Sequence, residues 1–231
     1  MELSRRLFAV ASKVTRGNRL ADIGTDHGYI PIYLVSEGLV PSAIAMDVNQ
    51  GPLDRADANI REYQLMDKIE TRRSNGLEKL SADEADTIVI AGMGGALMRD
   101  ILERGQDVIQ AGKELILQPQ SEIFKVRHFL HDHGYQILSE EILKEEGKYY
   151  FILKAIPGEQ SFDSEYLYEY GEYLLKEKDP LMKEYLEREL EKYHKIVEGL
   201  EGQHSEAATV RKQEMKSCME KLEKAYHYEM Y

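Results

Sequence analysis

The chain is short of cysteine, of long apolar runs and of positive charge. Its single cysteine, Cys218, excludes an internal disulfide and any cysteine-rich metal site, and it suits a reducing cytoplasm. No apolar stretch approaches the roughly 20 residues that span a bilayer. Arg5 and Arg6 near the N-terminus are not followed by the apolar segment of a secretory signal. A cytoplasmic protein with no membrane contact and no metal is therefore expected. Acidic residues outnumber basic ones 42 to 30, a formal net charge of −12 that gives no general attraction to a phosphate backbone. The excess is uneven. Residues 1–157 carry 24 acids against 19 cations, and residues 158–231 carry 18 against 11. The first nineteen residues reverse the sign, with Arg5, Arg6, Lys13, Arg16 and Arg19 against Glu2. Local patches rather than totals meet phosphates, so the sum neither supports nor excludes an RNA partner.

Two nucleotide signatures are missing as well. There is no Gly-Lys-Ser/Thr phosphate loop, and the dinucleotide fingerprint G-x-G-x-x-G is broken. In Leu20-Ala21-Asp22-Ile23-Gly24-Thr25-Asp26-His27-Gly28 an apolar run stops at two glycines, two acids and a histidine, and an amphipathic helix pattern follows. That is the pattern of a buried parallel strand delivering a tight loop to a helix N-terminus. Ligands of open α/β sheets bind at such carboxyl ends. Asp26 stands where the fingerprint needs its second glycine, and a carboxylate there repels a diphosphate. An acidic glycine loop suits a cationic or neutral ligand rich in hydroxyls and amines, and S-adenosylmethionine fits that description. Asp22, Gly24, Asp26 and Gly28 are its candidate ligands, the alternative being a plain strand-to-helix turn.

With 231 residues, 42% of them apolar, the chain has room for one ample domain and an appendage. Residues 3–14 read as a helix with Leu3, Leu7, Val10 and Val14 on one face. Arg5, Arg6 and Lys13 form a basic edge that suits either a phosphate backbone or solvent. Strands are expected at 19–24, 43–46, 68–72, 87–91 and 114–117, with helices at 30–37, 51–64, from 96, and at 123–132. Asp47, at the tip of the second strand and 19 positions beyond Gly28, is placed as a ribose-hydroxyl ligand is in nucleoside-binding α/β domains. Its other reading is a helix cap. Asn75 and Gly76 follow the third strand, where such folds meet the adenine amino group; a turn asparagine is the alternative. Gly92-Met93-Gly94-Gly95 ends the fourth strand, removing side chains where a reacting group must come close, with Met93 as an apolar wall. Gln118 and Gln120, after the fifth, carry paired donors and acceptors that suit a base. Two last strands near 135–143 and 148–156, turned at Glu145-Glu146-Gly147, complete a seven-stranded, mostly parallel sheet.

Past Pro157-Gly158 the texture changes. Met182, Leu186, Leu190, Tyr193, Val197 and Leu200 step by threes and fours. A second run, Ala208, Met215, Met219, Leu222 and Tyr226, follows a turn bracketed by Gly199 and Gly202. The spacing predicts an antiparallel, coiled-coil-like helical hairpin. Residues 1–157 are thus expected as the α/β domain and 158–231 as a helical one, serving RNA positioning or association.

Several of these stretches together resemble the bacterial tRNA (adenine-22, N1)-methyltransferase family. They are Ala21 to Gly28, Ala91-Gly92-Met93-Gly94-Gly95, Gln118-Pro119-Gln120, the start Leu3-Ser4-Arg5-Arg6-Leu7 and the hairpin end Gly147-Lys148-Tyr149-Tyr150. Gly28 departs from the alanine of many members. The resemblance spans nearly the whole chain and implies a Rossmann-like class I methyltransferase domain with a coiled-coil tail. It also implies methyl transfer from S-adenosylmethionine to N1 of an adenine in the D-arm region of tRNA. Under that reading Asp26 stabilises the cationic product and His27 orients the base, or both are structural, the acid capping the helix and the histidine tying the loop. Arg5, Arg6, Lys13, Gln118 and Gln120 face the tRNA, and the chain acts as a monomer. The Asp/Asn-Pro-Pro-aromatic motif of amino-group methyltransferases is absent after strand four, which suits a ring nitrogen instead. The competing readings are a methyltransferase of another RNA or a small molecule, and a non-catalytic Rossmann core with a coiled-coil interaction tail.

Overall fold

A computed structural model describes residues 1–203 and 205–228. The chain forms two compact units, Met1–Gln160 and Ser161–Tyr231. Elements of the first run in the order α1 (Arg5–Ser12), β1 (Leu20–Ile23), α2 (Tyr29–Ser36), β2 (Ala43–Asp47), α3 (Gln50–Glu62), β3 (Ile69–Arg73), β4 (Thr87–Met93), α4 (Gly95–Arg104), α5 (Gln106–Ala111), β5 (Glu114–Pro119), α6 (Ile123–Asp132), β6 (Tyr135–Glu145) and β7 (Lys148–Pro157). The strands make one sheet in the order β3-β2-β1-β4-β5-β7-β6. Pairs among the first five are parallel, while β7 pairs antiparallel with both β5 and β6. This is a seven-stranded, mostly parallel Rossmann-like sheet closed at one edge by an antiparallel hairpin, as expected. Its central strands are buried on both faces: Leu20, Ala45, Met46, Ile88, Val89, Ile90, Ile116 and Leu117 show no exposure. Hence they read as unbroken apolar runs rather than alternating ones.

The expected strand and helix ends move by no more than two residues, and two of the extensions are informative. The apolar run 87–91 continues as strand through Met93, and 114–117 continues through Pro119. Along that ladder Ala91 faces Gln118 and Met93 faces Pro119, so Gly92 is an extra residue bulged out of the pairing. Helix α5 went unforeseen because its six residues, between Gly105 and Gly112, are too few to show a period.

The boundary between units lies after Gln160, not after Pro157. Gln160 Oε1 accepts from Ile137 N at 2.7 Å and lies 3.0 Å from His131 Nε2, which fastens residues 158–160 to the first unit. The second unit holds two short helices that the spacing missed, α7 (Glu165–Tyr170) and α8 (Glu172–Lys176), interrupted at Gly171. Then come α9 (Pro180–Gly199) and α10 (Glu206–Tyr226), an antiparallel hairpin in which Tyr226 near the end of α10 donates to Glu187 near the start of α9 at 3.0 Å. Met182, Leu186, Met215 and Leu222 bury in the seam, whereas Leu190, Tyr193 and Val197 toward its far end are only half-buried. Among the described residues no helix is long and apolar enough to cross a membrane.

Candidate active site

The strand order reverses at β1, which has β2 on one side and β4 on the other. A crevice opens at that switch point, above the carboxyl ends of the strands. The loop leaving β1 is bent over β2 by two amides, Gly24 N and Thr25 N, which both donate to Met46 O at 2.8 and 2.9 Å. Gly24 adopts φ +78°, and a Cβ there would collide with Met93 Cε. Glycine is favoured here because the left-handed backbone strains any other residue and Met93 would have to move aside. His27 also lies in the left-handed region, φ 63°, a conformation that costs a non-glycine residue about 1 kcal/mol. Asn59 Nδ2 holds it there by donating to its carbonyl at 2.8 Å, and its ring stacks on Tyr29 with centroids 5.1 Å apart. Gly28 provides the backbone entry to α2, with no side-chain cap.

The crevice, of about 330 Å³, is lined by Arg6, Asp22, Thr25, Tyr29, Gly92 and Gln120 among others. Asp22, only 5% exposed, lies in its lining. Burial pushes its carboxyl up to about 6; the adjacent Thr25 side chain opposes the rise and the charge of Asp47 adds to it. Thr25 Oγ1 is itself buried and makes no hydrogen bond of good geometry among the described residues. Asp47, at the tip of β2, accepts from Asn49 N at 2.7 Å, and α3 begins on Asn49 without a side-chain cap. The helix-cap reading of Asp47 is thereby excluded. A buried acid, a neighbouring acid and an unmet hydroxyl fit a ligand carrying positive charge and hydroxyl groups, as S-adenosylmethionine does.

The opposite wall is the bulge of β4. Gly92, at φ +81°, has Arg6 Nη1 and Gln120 Nε2 each 3.8 Å from where a Cβ would stand. Arg6 reaches this point from α1, with Nη1 donating to Gln118 Oε1 at 2.9 Å and its guanidinium 5.6 Å from the centre of the Tyr150 ring. Gln118 is fully buried, and its amide nitrogen donates to Pro119 O. Both its polar ends are committed inside the protein, so it braces Arg6 and is not displayed to a base. Gln120 is exposed at the rim.

The remaining expected site residues divide between the crevice and other partners. Lys13 is tied to Glu141 at 2.7 Å instead of facing a phosphate. Arg5 is exposed on α1. Asn75 is exposed and donates to Glu78 Oε1 at 2.6 Å across its own turn. At Gly76 an added Cβ would stand 3.0 Å from Ile101 Cγ2, so helix packing accounts for that glycine. Asp26 has a side chain 63% exposed and paired with Arg55 at 2.7 Å; it caps no helix. Met93 lies over Gly24 as a wall between the tips of β1 and β4. Sequence reasoning passed over Thr25 and Tyr29, although both lie in or next to the loop it singled out. The pairing of Arg6 with Gln118 and Tyr150 had no signal along the chain. Among the described residues, no three His, Cys, Asp or Glu side chains converge as a metal site requires.

Comparison with known proteins gives a consistent set of likenesses. Residues 20–224 match the family model described as tRNA (adenine(22)-N(1))-methyltransferase. The Bacillus subtilis protein of that name is 36% identical over 230 residues, covering 96% of this chain and 95% of the relative. Streptococcus pneumoniae Sp1610, solved in complex with S-adenosyl-L-methionine, superposes with a TM-score of 0.89 at 36% identity, over 98% of this chain and all of that one. M. capricolum TrmK, solved with S-adenosyl-homocysteine, gives 0.86 at 30% identity over 98% of each chain.

Proposed function

Because this chain belongs to the tRNA (adenine(22)-N(1))-methyltransferase family, we propose how its residues divide the work of moving a methyl group from S-adenosylmethionine to N1 of adenine 22 in tRNA. The cofactor, when bound, supplies an electrophilic methyl group on a sulfonium that leaves readily. Adenine N1 carries an in-plane lone pair and is unprotonated at neutral pH, so the chain has no strong base to provide. Its task is alignment.

Asp22 and Thr25 on the crevice floor and Asp47 at the neighbouring strand tip hold the cofactor, through charge at Asp22 and hydroxyl contacts at Asp47. Met93 and the turn at Gly24 close the wall between β1 and β4. Gly92, bulged and without a side chain, leaves open the approach by which the base enters. Arg6, braced by Gln118 and Tyr150, and Gln120 flank that approach and meet the RNA. Methylation at N1 leaves the base positively charged; the Asp26 carboxylate, exposed at the mouth beside His27, stabilises that charge by turning from its surface partner Arg55 toward the base. A paired N1 must first be unstacked to reach the crevice. A cytoplasmic monomer fits this role and the single cysteine.

One observation carries the assignment of the site: a buried acid beneath the Gly24 turn with a second acid at the adjacent strand tip, a floor that attracts a cation and repels a diphosphate. The test is transfer of label from methyl-tritiated cofactor to an unmodified tRNA transcript. Label is expected as 1-methyladenosine at position 22, and a transcript with guanine at that position should take none.

A further inference from the structure

Helices α1 and α2, side by side at the crevice, differ from the rest of this acidic chain. Neither α1 (RRLFAVAS) nor α2 (YIPIYLVS) contains a single acid, although the chain has 42. Both also turn aromatic rings outward. On α2 every apolar position but two is buried, and those two are Tyr29 and Tyr33, one helical turn apart. Tyr29 is 37% exposed, lines the crevice and stacks nearly parallel on His27, with 8° between the planes. Tyr33, half-buried against the core, meets Phe8 of α1 edge to face at 6.0 Å, and Phe8 is 51% exposed. Arg5 stands exposed one turn before Phe8. Of the acids flanking the two helices, Asp26 is paired with Arg55, while Glu37 stands exposed just past the end of α2 and Glu2 just before α1.

Single exposed aromatics need no explanation. A file of four rings, starting inside the crevice and running out along two helices that carry no acid, with Arg5 exposed beside it, does. Bases stack on such rings whatever their sequence, and cations beside them meet the backbone. We infer that His27, Tyr29, Tyr33 and Phe8 form a stacking track for the unpaired nucleotides next to the target adenine, holding the strand while that base is in the crevice. A protein partner is disfavoured because the strip is cationic at its border and narrow. The inference rests on the tRNA-methylating reading above.

Phe8 is the residue to test, being the most exposed of the four and the furthest along the file from the crevice. Phe8→Ala is expected to raise KM for tRNA about fivefold or more, the weaker end of what one base–aromatic stack contributes. The thermal shift produced by S-adenosylmethionine should stay as in the wild type, which also establishes that the variant folds. Phe8→Trp gives a chain without tryptophan its sole indole. It should restore KM to within about twofold, and its emission should be quenched by tRNA. An unchanged KM in Phe8→Ala, or an emission indifferent to saturating tRNA in Phe8→Trp, overturns the track. If the wild-type chain itself fails to methylate the transcript, the functional reading falls first; quenching of Phe8→Trp by tRNA then judges the track by itself.

Discussion

Replacing Asp22 by asparagine removes a charge that the fold holds in an unfavourable place. Its carboxyl is lifted from the ordinary 3.8 to about 6, chiefly by burial. A lift of that size corresponds to roughly 3 kcal/mol against the ionised folded state at pH 8. The sign follows from proton uptake. As pH falls through about 6 the folded protein binds a proton that the unfolded chain does not take up until near 3.8. The Asp22 contribution to wild-type stability therefore climbs as pH drops from about 7 toward 4, and Asp22→Asn lacks that climb relative to wild type. At pH 8 the unliganded variant should be the more stable by about 3 kcal/mol, several degrees in Tm for a unit of this size. Near pH 4 the difference should vanish. Cofactor reverses the order, because the variant has lost the charge that meets it. The assay is thermal unfolding at pH 8 and pH 4, with and without saturating S-adenosylmethionine, following the transition that the cofactor moves in the wild type. An unliganded variant that melts at or below the wild type at pH 8 would refute the claim that Asp22 is ionised at a cost. An undiminished cofactor shift would remove Asp22 from the binding site.

Other substitutions separate the remaining roles. Asp47→Asn should raise KM for the cofactor about tenfold, the effect of weakening one charge-assisted hydrogen bond, with kcat nearly unchanged; steady-state kinetics at fixed tRNA decides it. Gly92→Ala adds a Cβ at φ +81° on the wall of the approach, so turnover should fall at least about tenfold while the cofactor still stabilises the fold. Full activity in that variant would show that the base does not pass Gly92. At the other end of β5, burial alone would raise the carboxyl of Glu114. Lys154, the amide and hydroxyl of Thr15 and the Thr87 hydroxyl outweigh burial and hold it below its ordinary 4.5. Its contribution to stability is present above that value and is lost as pH falls. Glu114→Gln should cost about 2–4 kcal/mol near neutrality by stranding Lys154, and the gap to wild type should narrow in acid. Urea titration at pH 7 and pH 4 measures both.

By itself the sequence determined the sheet, the crevice and the nature of the ligand. Buried parallel strands must be continuously apolar, so Leu20–Ile23, Ala43–Met46 and Thr87–Ala91 were legible. Glycine is the residue that a tight strand-to-helix turn demands, so the loop at Gly24 was legible too. The acids at the strand tips, Asp22 and Asp47, were legible as candidates, and the structure buries Asp22 in the crevice lining. What the sequence left open depends on contacts between residues far apart in the chain, which no spacing encodes. Only the tertiary structure puts Arg6 on Gln118 and Tyr150, turns Asn75 into its own loop, draws Lys13 to Glu141 and ties Gln160 back to Ile137. It also decides which aromatics are left in solvent. Phe8 and Tyr29 read as ordinary helix residues until the sheet fixes how α1 and α2 pack, because exposure belongs to the assembled surface and not to the residue.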